Sequence, residues 1–197
     1  KDYDYYVWLN DDSILFKNSF VEIYNDLKSK SSSIIVGTFI SSNKSSHEIT
    51  YGGRNKKFEL IKPSGEPKEG LLINGNCVFI PREVFKKVGY LSKIFTHNYG
   101  DVDYGLRATK KKIKIYIASK VVGICDQNEL ELWRSPNTNF FTRLKSLYKS
   151  KNFNISEVMY FQLVHFGVFA LLKHFIGVFL IIFSPTIYNR LSKFNLK

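Results

Sequence analysis

Apolar residues in this chain occur both in short runs of strand length and in longer stretches with helical spacing. The first run, Tyr5–Leu9, is apolar and aromatic and predicts a buried strand. The β-branched run at 33–40 predicts a second buried strand. Two later runs, 114–118 and 121–124, predict further strands, and 58–61 fits a short one. Strands interspersed with helical segments predict an α/β fold.

Helical periodicity is clear at 19–30, where apolar residues recur at i, i+3, i+4 and i+7. The predicted stripe consists of Phe20, Ile23, Tyr24 and Leu27. Asn18 or Ser19 is expected to cap this helix, because short polar side chains accept hydrogen bonds from the first turn.

Glycine and proline punctuate the middle of the chain. A tight turn is predicted at 51–53, and the breaker-rich segment 63–70 predicts an exposed loop. A short helix is predicted at 82–88, with Pro81 at its start and Gly89 just after its end.

The last third of the chain is basic and strongly apolar. A basic amphipathic helix is predicted at 140–148, and 158–183 is almost wholly apolar. That stretch exceeds the roughly 20 residues that span a bilayer, but Lys173 falls inside it. We therefore favour a helix that lies in the membrane interface, with a core helix and a true span as the alternatives.

Charge points to an anionic partner. The formal net charge is +12, and from residue 140 onward eight Lys or Arg face one acid, Glu157, so this tail carries +7. Phosphate-bearing ligands, anionic lipids and nucleic acids all fit such a charge. Cys77 and Cys125 form no CxxC motif, so we expect neither a zinc site nor a disulfide framework. The chain enters a strand pattern almost at once after Lys1, and we expect it to be a piece of a larger protein.

Three oxygen-bearing side chains, Asn10, Asp11 and Asp12, directly follow the first predicted strand. Carboxylates at the carboxyl end of a buried strand lie where open α/β sheets bind ligands. Mg²⁺ and Mn²⁺ prefer such hard oxygen ligands. The cluster predicts a metal site, and the alternative is a plain Asx turn.

Asn74, Gly75 and Asn76 interrupt an apolar run at 71–80. Because glycine permits positive φ and close backbone approach, this loop could let a ligand contact the backbone. The alternative is a simple hairpin bend.

A second acidic site is predicted at 99–112, a helix with Asp101 and Asp103 in its first turn. Asp103 could simply pair with Arg107 at i, i+4, whereas Asp101 can face a cleft. His97 is the histidine nearest to this site in sequence.

Three segments, in this order and spacing, resemble motifs of the family 2 glycosyltransferases with a GT-A fold. Residues 6–12 (YVWLNDD) resemble the DxD-type strand end, with Asn in the first position. Residues 74–82 (NGNCVFIPR), followed by Val88 and Gly89, resemble the acceptor-side segment. Residues 100–107 (GDVDYGLR) resemble the ED-type motif.

This resemblance implies an inverting, metal-dependent, hexosyltransferase-like enzyme. It would move a sugar from a nucleotide-sugar donor to a saccharide or lipid-linked acceptor, in surface polysaccharide or glycolipid synthesis. Asp101 matches the general base, and Asp12, with Asp11 and Asn10 beside it, would hold Mn²⁺ or Mg²⁺ and the donor diphosphate. The acceptor side would comprise Asn74, Gly75, Asn76, His97 and Asp103, with Arg107 and Asp126 as additional candidates.

The match has two departures. Gly100 stands where many members carry Glu, and Cys125 with Asp126 lies where a late His often helps to bind the metal. The second departure leaves the third metal contact open.

The implied architecture is a GT-A-like mixed sheet flanked by helices over 1–138, followed by a basic and apolar helical tail over 139–197. The N-terminal nucleotide-binding half of the family would be missing, so activity of this portion alone stays open. The tail would hold the enzyme peripherally at the cytoplasmic face of the membrane, near a lipid-linked acceptor.

Two other functions stay open at this point. A glycoside or phosphate-ester hydrolase could use the same carboxylates with water as the nucleophile. A non-enzymatic basic module could bind membranes or nucleic acid through the tail and the lysines at 110–112. No nucleic-acid-binding motif is visible, so nucleic acid is not the expected partner.

Overall fold

The computed structural model describes residues 3–43, 48–96, 98–127, 133, 135, 137–149 and 153–194, with only the backbone described at 189, 190 and 192–194. The chain is α/β, as the sequence predicts. It forms two compact units. The sheet unit comprises residues 1–93 and 100–127, and the helical unit comprises residues 94–99 and 128–197.

The sheet unit contains a mixed sheet. Its strands are β1 (Tyr5–Leu9), β2 (Ile14–Leu15), β3 (Ile34–Ile40), β4 (Ile49–Tyr51), β5 (Lys68–Gly70), β6 (Cys77–Pro81) and β7 (Ile115–Ile124). They run in the order β1-β6-β3-β7-β2, with β4 paired to β3 and β5 paired to β7. β3 and β7 are parallel, and the remaining pairs are antiparallel.

Three helices of this unit, α1 (Ser19–Ser29), α2 (Arg82–Val88) and α3 (Gly100–Lys110), cover the sheet. Ile34 and Val36 of β3 share a buried cluster with residues of α2 and α3. Ile35 and Phe39 share a second cluster with residues of α1. Because successive strand residues point to opposite faces, β3 is buried on both sides, which confirms the second predicted strand.

The first strand differs from the prediction. β1 lies at the end of the strand order and pairs with β6, and its residues alternate between exposed and half-buried. Tyr5, Val7 and Leu9 are exposed, whereas Tyr6 and Trp8 pack against the core. The strand is present as predicted, but its predicted burial was wrong, because a run that is apolar on both faces does not reveal which face has a neighbour.

The apolar stripe of α1 also needs correction. Ile23 and Leu27 are buried, but Phe20 and Tyr24 are exposed, since the buried face turns toward Ser19 and Asp26 instead. The hydroxyl of Ser19 donates to the carbonyl of Val122, and no side-chain cap forms at Asn18.

Three loop and strand boundaries differ from the sequence prediction. The expected loop at 63–70 ends in β5, which pairs with β7. At 58–61, Leu60 forms an isolated bridge with Arg54 and no regular strand. The two strands expected at 114–118 and 121–124 are one strand, β7, whose pairing with β3 shifts register between them.

The helical unit contains α4 (Phe140–Lys149), α5 (Ile155–Phe166), α6 (Val168–Phe183) and α7 (Pro185–Phe194). The long apolar segment predicted at 158–183 is split at Gly167, whose φ of +83° ends α5 and precedes α6. Among the described residues, no helix is both long and apolar enough to cross a membrane.

Residues 94–99 belong to the helical unit although they precede α3 in sequence. The Glu157 carboxylate of α5 accepts hydrogen bonds from the Thr96 hydroxyl (2.6 Å) and backbone N–H (3.2 Å). The Tyr99 ring stacks on Phe161, with ring centroids 4.6 Å apart. The division at 138/139 into a catalytic portion and a tail stays a prediction.

Candidate active site

A tight turn follows β1. The Ser13 backbone N–H donates to the Asn10 backbone carbonyl (3.4 Å), which is the hydrogen bond of a β-turn and not of an Asx turn, where a side-chain oxygen accepts. The side chains of Asp11 and Asp12 on this turn are exposed to solvent. The turn is compatible with a role of Asp11 and Asp12 as metal ligands, because the turn leaves both carboxylates accessible.

The loop Asn74-Gly75-Asn76 lies beside this turn and leads directly into β6. The Asn10 N–H donates to the Asn76 carbonyl (3.1 Å). The buried Asn76 amide donates to Cys125 Sγ (3.1 Å) and reaches Ser13 Oγ (3.5 Å). Asn76 thus ties together the end of β1, the turn and the residue that follows β7.

Cys125 connects this network to a carboxylate. Its buried thiol lies 3.8 Å from Asp12 Oδ1, within reach of a weak S–H hydrogen bond. Burial raises the pKa of the Cys125 thiol, and the negative charge of Asp12 acts in the same direction. Both effects keep the sulfur protonated, so it can donate to Asp12 and orient that carboxylate.

Gly75 connects the same loop to the second acidic site. Its backbone N–H donates to Asp101 Oδ2 (3.0 Å), while Asp101 Oδ1 accepts from the Val102 N–H (2.7 Å). A Cβ at position 75 would lie 3.0 Å from the Trp8 ring. A side chain here would therefore press against the Trp8 ring, whereas the φ of Gly75 is not in the left-handed region.

Asp101 stands in the first turn of α3, as predicted. Burial raises the pKa of the Asp101 carboxyl, opposed by the hydrogen bonds from Val102 and Gly75. A carboxylate whose pKa is moved toward neutrality is a stronger proton acceptor than an exposed Asp.

Asp103 has a structural partner. Its side chain is 2% exposed and accepts from Arg107 Nε at 2.8 Å. The same guanidinium donates to the carbonyls of Val88 and Tyr90 at 3.0 Å each. Asp103 and Arg107 therefore join the start of α3 to the end of α2, which matches the ion-pair alternative and gives no support to acceptor binding by Asp103.

Asp126 holds the segment that follows β3. Its carboxylate accepts hydrogen bonds from the Ser41 hydroxyl and from the Ser42 N–H and hydroxyl, at 2.6–2.9 Å. These bonds, those from Ser42 first, lower the pKa of Asp126. Asp126 is thus engaged with the segment that follows β3. Of the other candidates, His97 lies outside the described residues.

The donor set at the β1 turn is compatible with a divalent cation. No group of three His, Cys, Asp or Glu side chains suited to a metal occurs within the described ranges. Mg²⁺ is usually held by only one or two carboxylates, with substrate phosphates and water completing its shell. Asp11 and Asp12 offer such exposed oxygens, so they fit a cation that a diphosphate completes.

Sequence reasoning missed two members of this site and the contacts of a third. Ser13 and Trp8 flank the acidic cluster, but neither residue type signals a ligand site. The region of Cys125 was singled out, yet its contacts with Asn76 and Asp12 join residues 49 and 113 positions apart, which spacing alone does not reveal.

No protein-family model matches the chain, and no curated protein matches it significantly. One similar solved structure is titled "Crystal Structure of A197 from STIV". The two share 15% identity over 65% of this chain and 68% of the other, with a TM-score of 0.40. Similarity at this level indicates neither the family nor the function of this chain.

Proposed function

We propose that this chain is the acceptor-side and metal-binding portion of an inverting glycosyltransferase of the GT-A type that uses a nucleotide-sugar donor. One observation carries the proposal: a single three-residue loop is hydrogen-bonded to both carboxylate sites. Asn76 accepts from Asn10 beside Asp11 and Asp12, and Gly75 donates to Asp101. Two separate carboxylate sites on one loop suit a reaction that handles a leaving diphosphate and a nucleophile's proton.

Asp101 is the proposed general base. An acceptor hydroxyl loses its proton as it attacks the anomeric carbon, and Asp101 Oδ accepts that proton. The raised pKa of Asp101 strengthens it as a base, and the Gly75 and Val102 N–H groups hold its carboxylate in place. With one displacement, the configuration at the anomeric carbon inverts.

Asp12 and Asp11 are the proposed ligands of Mn²⁺ or Mg²⁺. When bound there, the cation would act as a Lewis acid that stabilises the negative charge of the departing diphosphate. The Cys125 thiol orients Asp12, and Asn76 fixes Cys125 and the backbone of Asn10. Of the loop residues, only the half-buried Asn74 could border the acceptor, a saccharide or lipid-linked sugar, because Gly75 and Asn76 are buried. The enzyme would be a hexosyltransferase of surface polysaccharide or glycolipid synthesis at the cytoplasmic membrane face.

Two substitutions separate the proposed roles. Asp101→Asn removes the base and leaves one oxygen to accept from the Gly75 and Val102 N–H groups. We expect transfer to fall by about 10²–10⁴-fold, with Mn²⁺-dependent binding of nucleoside diphosphate largely retained. Asp12→Asn should instead weaken that binding. Calorimetry with UDP and GDP measures binding, and a panel of nucleotide sugars with and without acceptor measures transfer, on this chain and on N-terminally extended forms.

Glu69→Gln provides the control, since Glu69 is an exposed carboxylate of β5 that pairs with Lys114 and, within the described part of the chain, forms no bond to Asp11, Asp12 or Asp101. This variant should change neither the binding of nucleoside diphosphate nor the rate of transfer. Equal transfer by Asp101→Asn and the parent would refute the base assignment. Sugar release to water at the same rate with and without acceptor would instead indicate a hydrolase.

A further inference from the structure

The helix α6 presents an uncovered apolar stripe. Leu172, Ile176, Phe179 and Phe183 are each 54–61% exposed. Their spacing of four, three and four residues puts them on one face of the helix. In a water-soluble bundle that face would normally be buried, so a stripe of this length requires an explanation.

Another part of α6 is covered by its own unit. Ile182 is buried, and Gly177 approaches the Tyr188 ring of α7 closely enough that a Cβ there would lie 3.7 Å away. The packing of α6 within its unit therefore leaves the stripe open. At its end, the Phe183 ring contacts Phe140 of α4 and stacks on Phe179.

The neighbouring helix α5 repeats the arrangement. Ile155, Met159, Leu163 and Phe166 are exposed at the same kind of spacing. Two consecutive helices that expose apolar faces on either side of Gly167 exceed the scattered apolar exposure usual on a protein surface.

The charge of this unit restricts what can cover the stripe. Among its described residues the only acid is Glu157, which is buried and bonded to Thr96 and Asn154. Lys145, Lys149 and Lys173 are exposed, and Lys173 is next to Leu172. A surface with exposed ammonium groups beside apolar side chains complements anionic headgroups above an apolar layer.

The length of α6 decides the mode of contact. Its 16 residues measure about 24 Å at 1.5 Å per residue, shorter than the roughly 30 Å hydrocarbon core of a bilayer. A helix of this length with one open apolar face lies along an interface.

We infer that the open stripe of α6 inserts into the headgroup boundary of an anionic lipid bilayer, with the exposed lysines at the level of the lipid phosphates. The occupant of the stripe is thus the membrane itself. This inference is independent of glycosyl transfer, because vesicle binding requires neither donor nor acceptor.

The test compares two β-branched aliphatic residues of matched exposure. Ile176 on α6 is 61% exposed, and Val21 on α1 of the sheet unit is 62% exposed. The full chain, Ile176→Asp and Val21→Asp are each sedimented with phosphatidylcholine vesicles that contain phosphatidylserine. Burial of one large aliphatic side chain contributes about 1.5–3 kcal/mol, so we expect Ile176→Asp to bind at least about tenfold more weakly and Val21→Asp to bind as the parent does.

Circular dichroism verifies that each variant folds, and Ile176→Ser replaces Ile176→Asp if the latter does not. Equal vesicle binding by the two variants, or no binding by the parent, would overturn the inference. So would an oligomeric parent that Ile176→Asp converts to monomers in sedimentation velocity, because a second copy would then cover the stripe.

Discussion

At the scale of single residues, Gly75 matters most to the candidate site. Its N–H bonds Asp101, its neighbour Asn76 bonds Asn10 and Cys125, and Trp8 occupies the space that a side chain would need. A shift of this residue would therefore disturb the proposed base and the proposed metal site together.

Gly75→Ala tests that dependence. The added Cβ would lie 3.0–3.1 Å from the Trp8 ring, closer than ordinary contact, so the ring or the loop must move. Overpacking of this kind costs about 1–3 kcal/mol of unfolding free energy, which urea denaturation measures. The shift that this contact requires is a few tenths of an ångström. A displacement near 1 Å costs about 10²-fold in rate, so we expect transfer to fall by less than that.

The matched control is the double variant Gly75→Ala with Trp8→Phe. The smaller ring makes room for the methyl group, so we expect most of the lost stability and activity to return. A stable Gly75→Ala with parental activity would show that the loop has more freedom than its contacts indicate.

The residue types of the site were predictable, but their partners were not. Asp101 and Asp103 were both expected in the first turn of a helix, and both are there. The sequence alone did not show which of the two is held in an ion pair and which is the candidate base. Arg107 bonds Asp103 within the same helix, whereas Gly75 bonds Asp101 from 26 positions away in sequence. Only the first of these contacts follows from helical spacing.

At the scale of elements, two glycines of the apolar segment have opposite effects on stability. Gly167 adopts φ +83° and ψ −179° between α5 and α6, a conformation that is essentially restricted to glycine. Gly177 lies inside α6, where a Cβ meets nothing nearer than the Tyr188 ring at 3.7 Å. One glycine is needed to break the segment, and the other only weakens a helix.

Replacing each glycine with alanine should therefore change stability in opposite directions. Gly167→Ala is expected to lower the free energy of unfolding by about 1–3 kcal/mol, because alanine is strained at this φ. Gly177→Ala is expected to raise it by about 0.5–1 kcal/mol through helix propensity. Urea denaturation followed by circular dichroism measures both.

Each variant is the control for the other, since both add the same methyl group to the same unit. Destabilisation of equal size at both positions would contradict the assignment of Gly167 as the residue that separates the helices.

The apolar pattern predicted the type of most elements correctly, but it predicted less well which residues are buried. The helices at 82–88 and 140–148 and the central strand β3 agree with their predictions. β1 is exposed on one face and α1 buries Ser19 and Asp26, because burial depends on which neighbours the topology supplies. Gly167 was overlooked as a breaker, since an isolated glycine in an apolar run is common in helices.

At the scale of the whole molecule, the net charge follows from the sequence alone, and the structure shows where the charged side chains lie. The net charge is +12, and the described part of the helical unit exposes lysines without any exposed acid. The candidate site residues therefore lie in the sheet unit, and the helical unit has a cationic, apolar surface.

The salt dependence of binding separates this arrangement from a general polyanion-binding protein. Between about 0.1 M and about 1 M salt the Debye length shrinks from about 10 Å to about 3 Å. Affinity for phosphatidylserine-containing vesicles should fall toward that for pure phosphatidylcholine vesicles but persist there, because the α6 stripe contributes an apolar component that salt does not screen. Ile176→Asp should lose that residual binding.

Random-sequence duplex DNA is the matched anionic ligand without an apolar layer. We expect its binding to be weak at about 0.1 M salt and abolished at about 1 M, since counterion release is then its only source of affinity. Tight, sequence-independent DNA binding that Asp12→Asn leaves unchanged, together with vesicle binding that salt abolishes entirely, would instead identify the charge as a nucleic-acid-binding surface. Vesicle binding that persists at high salt thus distinguishes a helix that inserts its apolar face into the membrane from one that binds through charge alone.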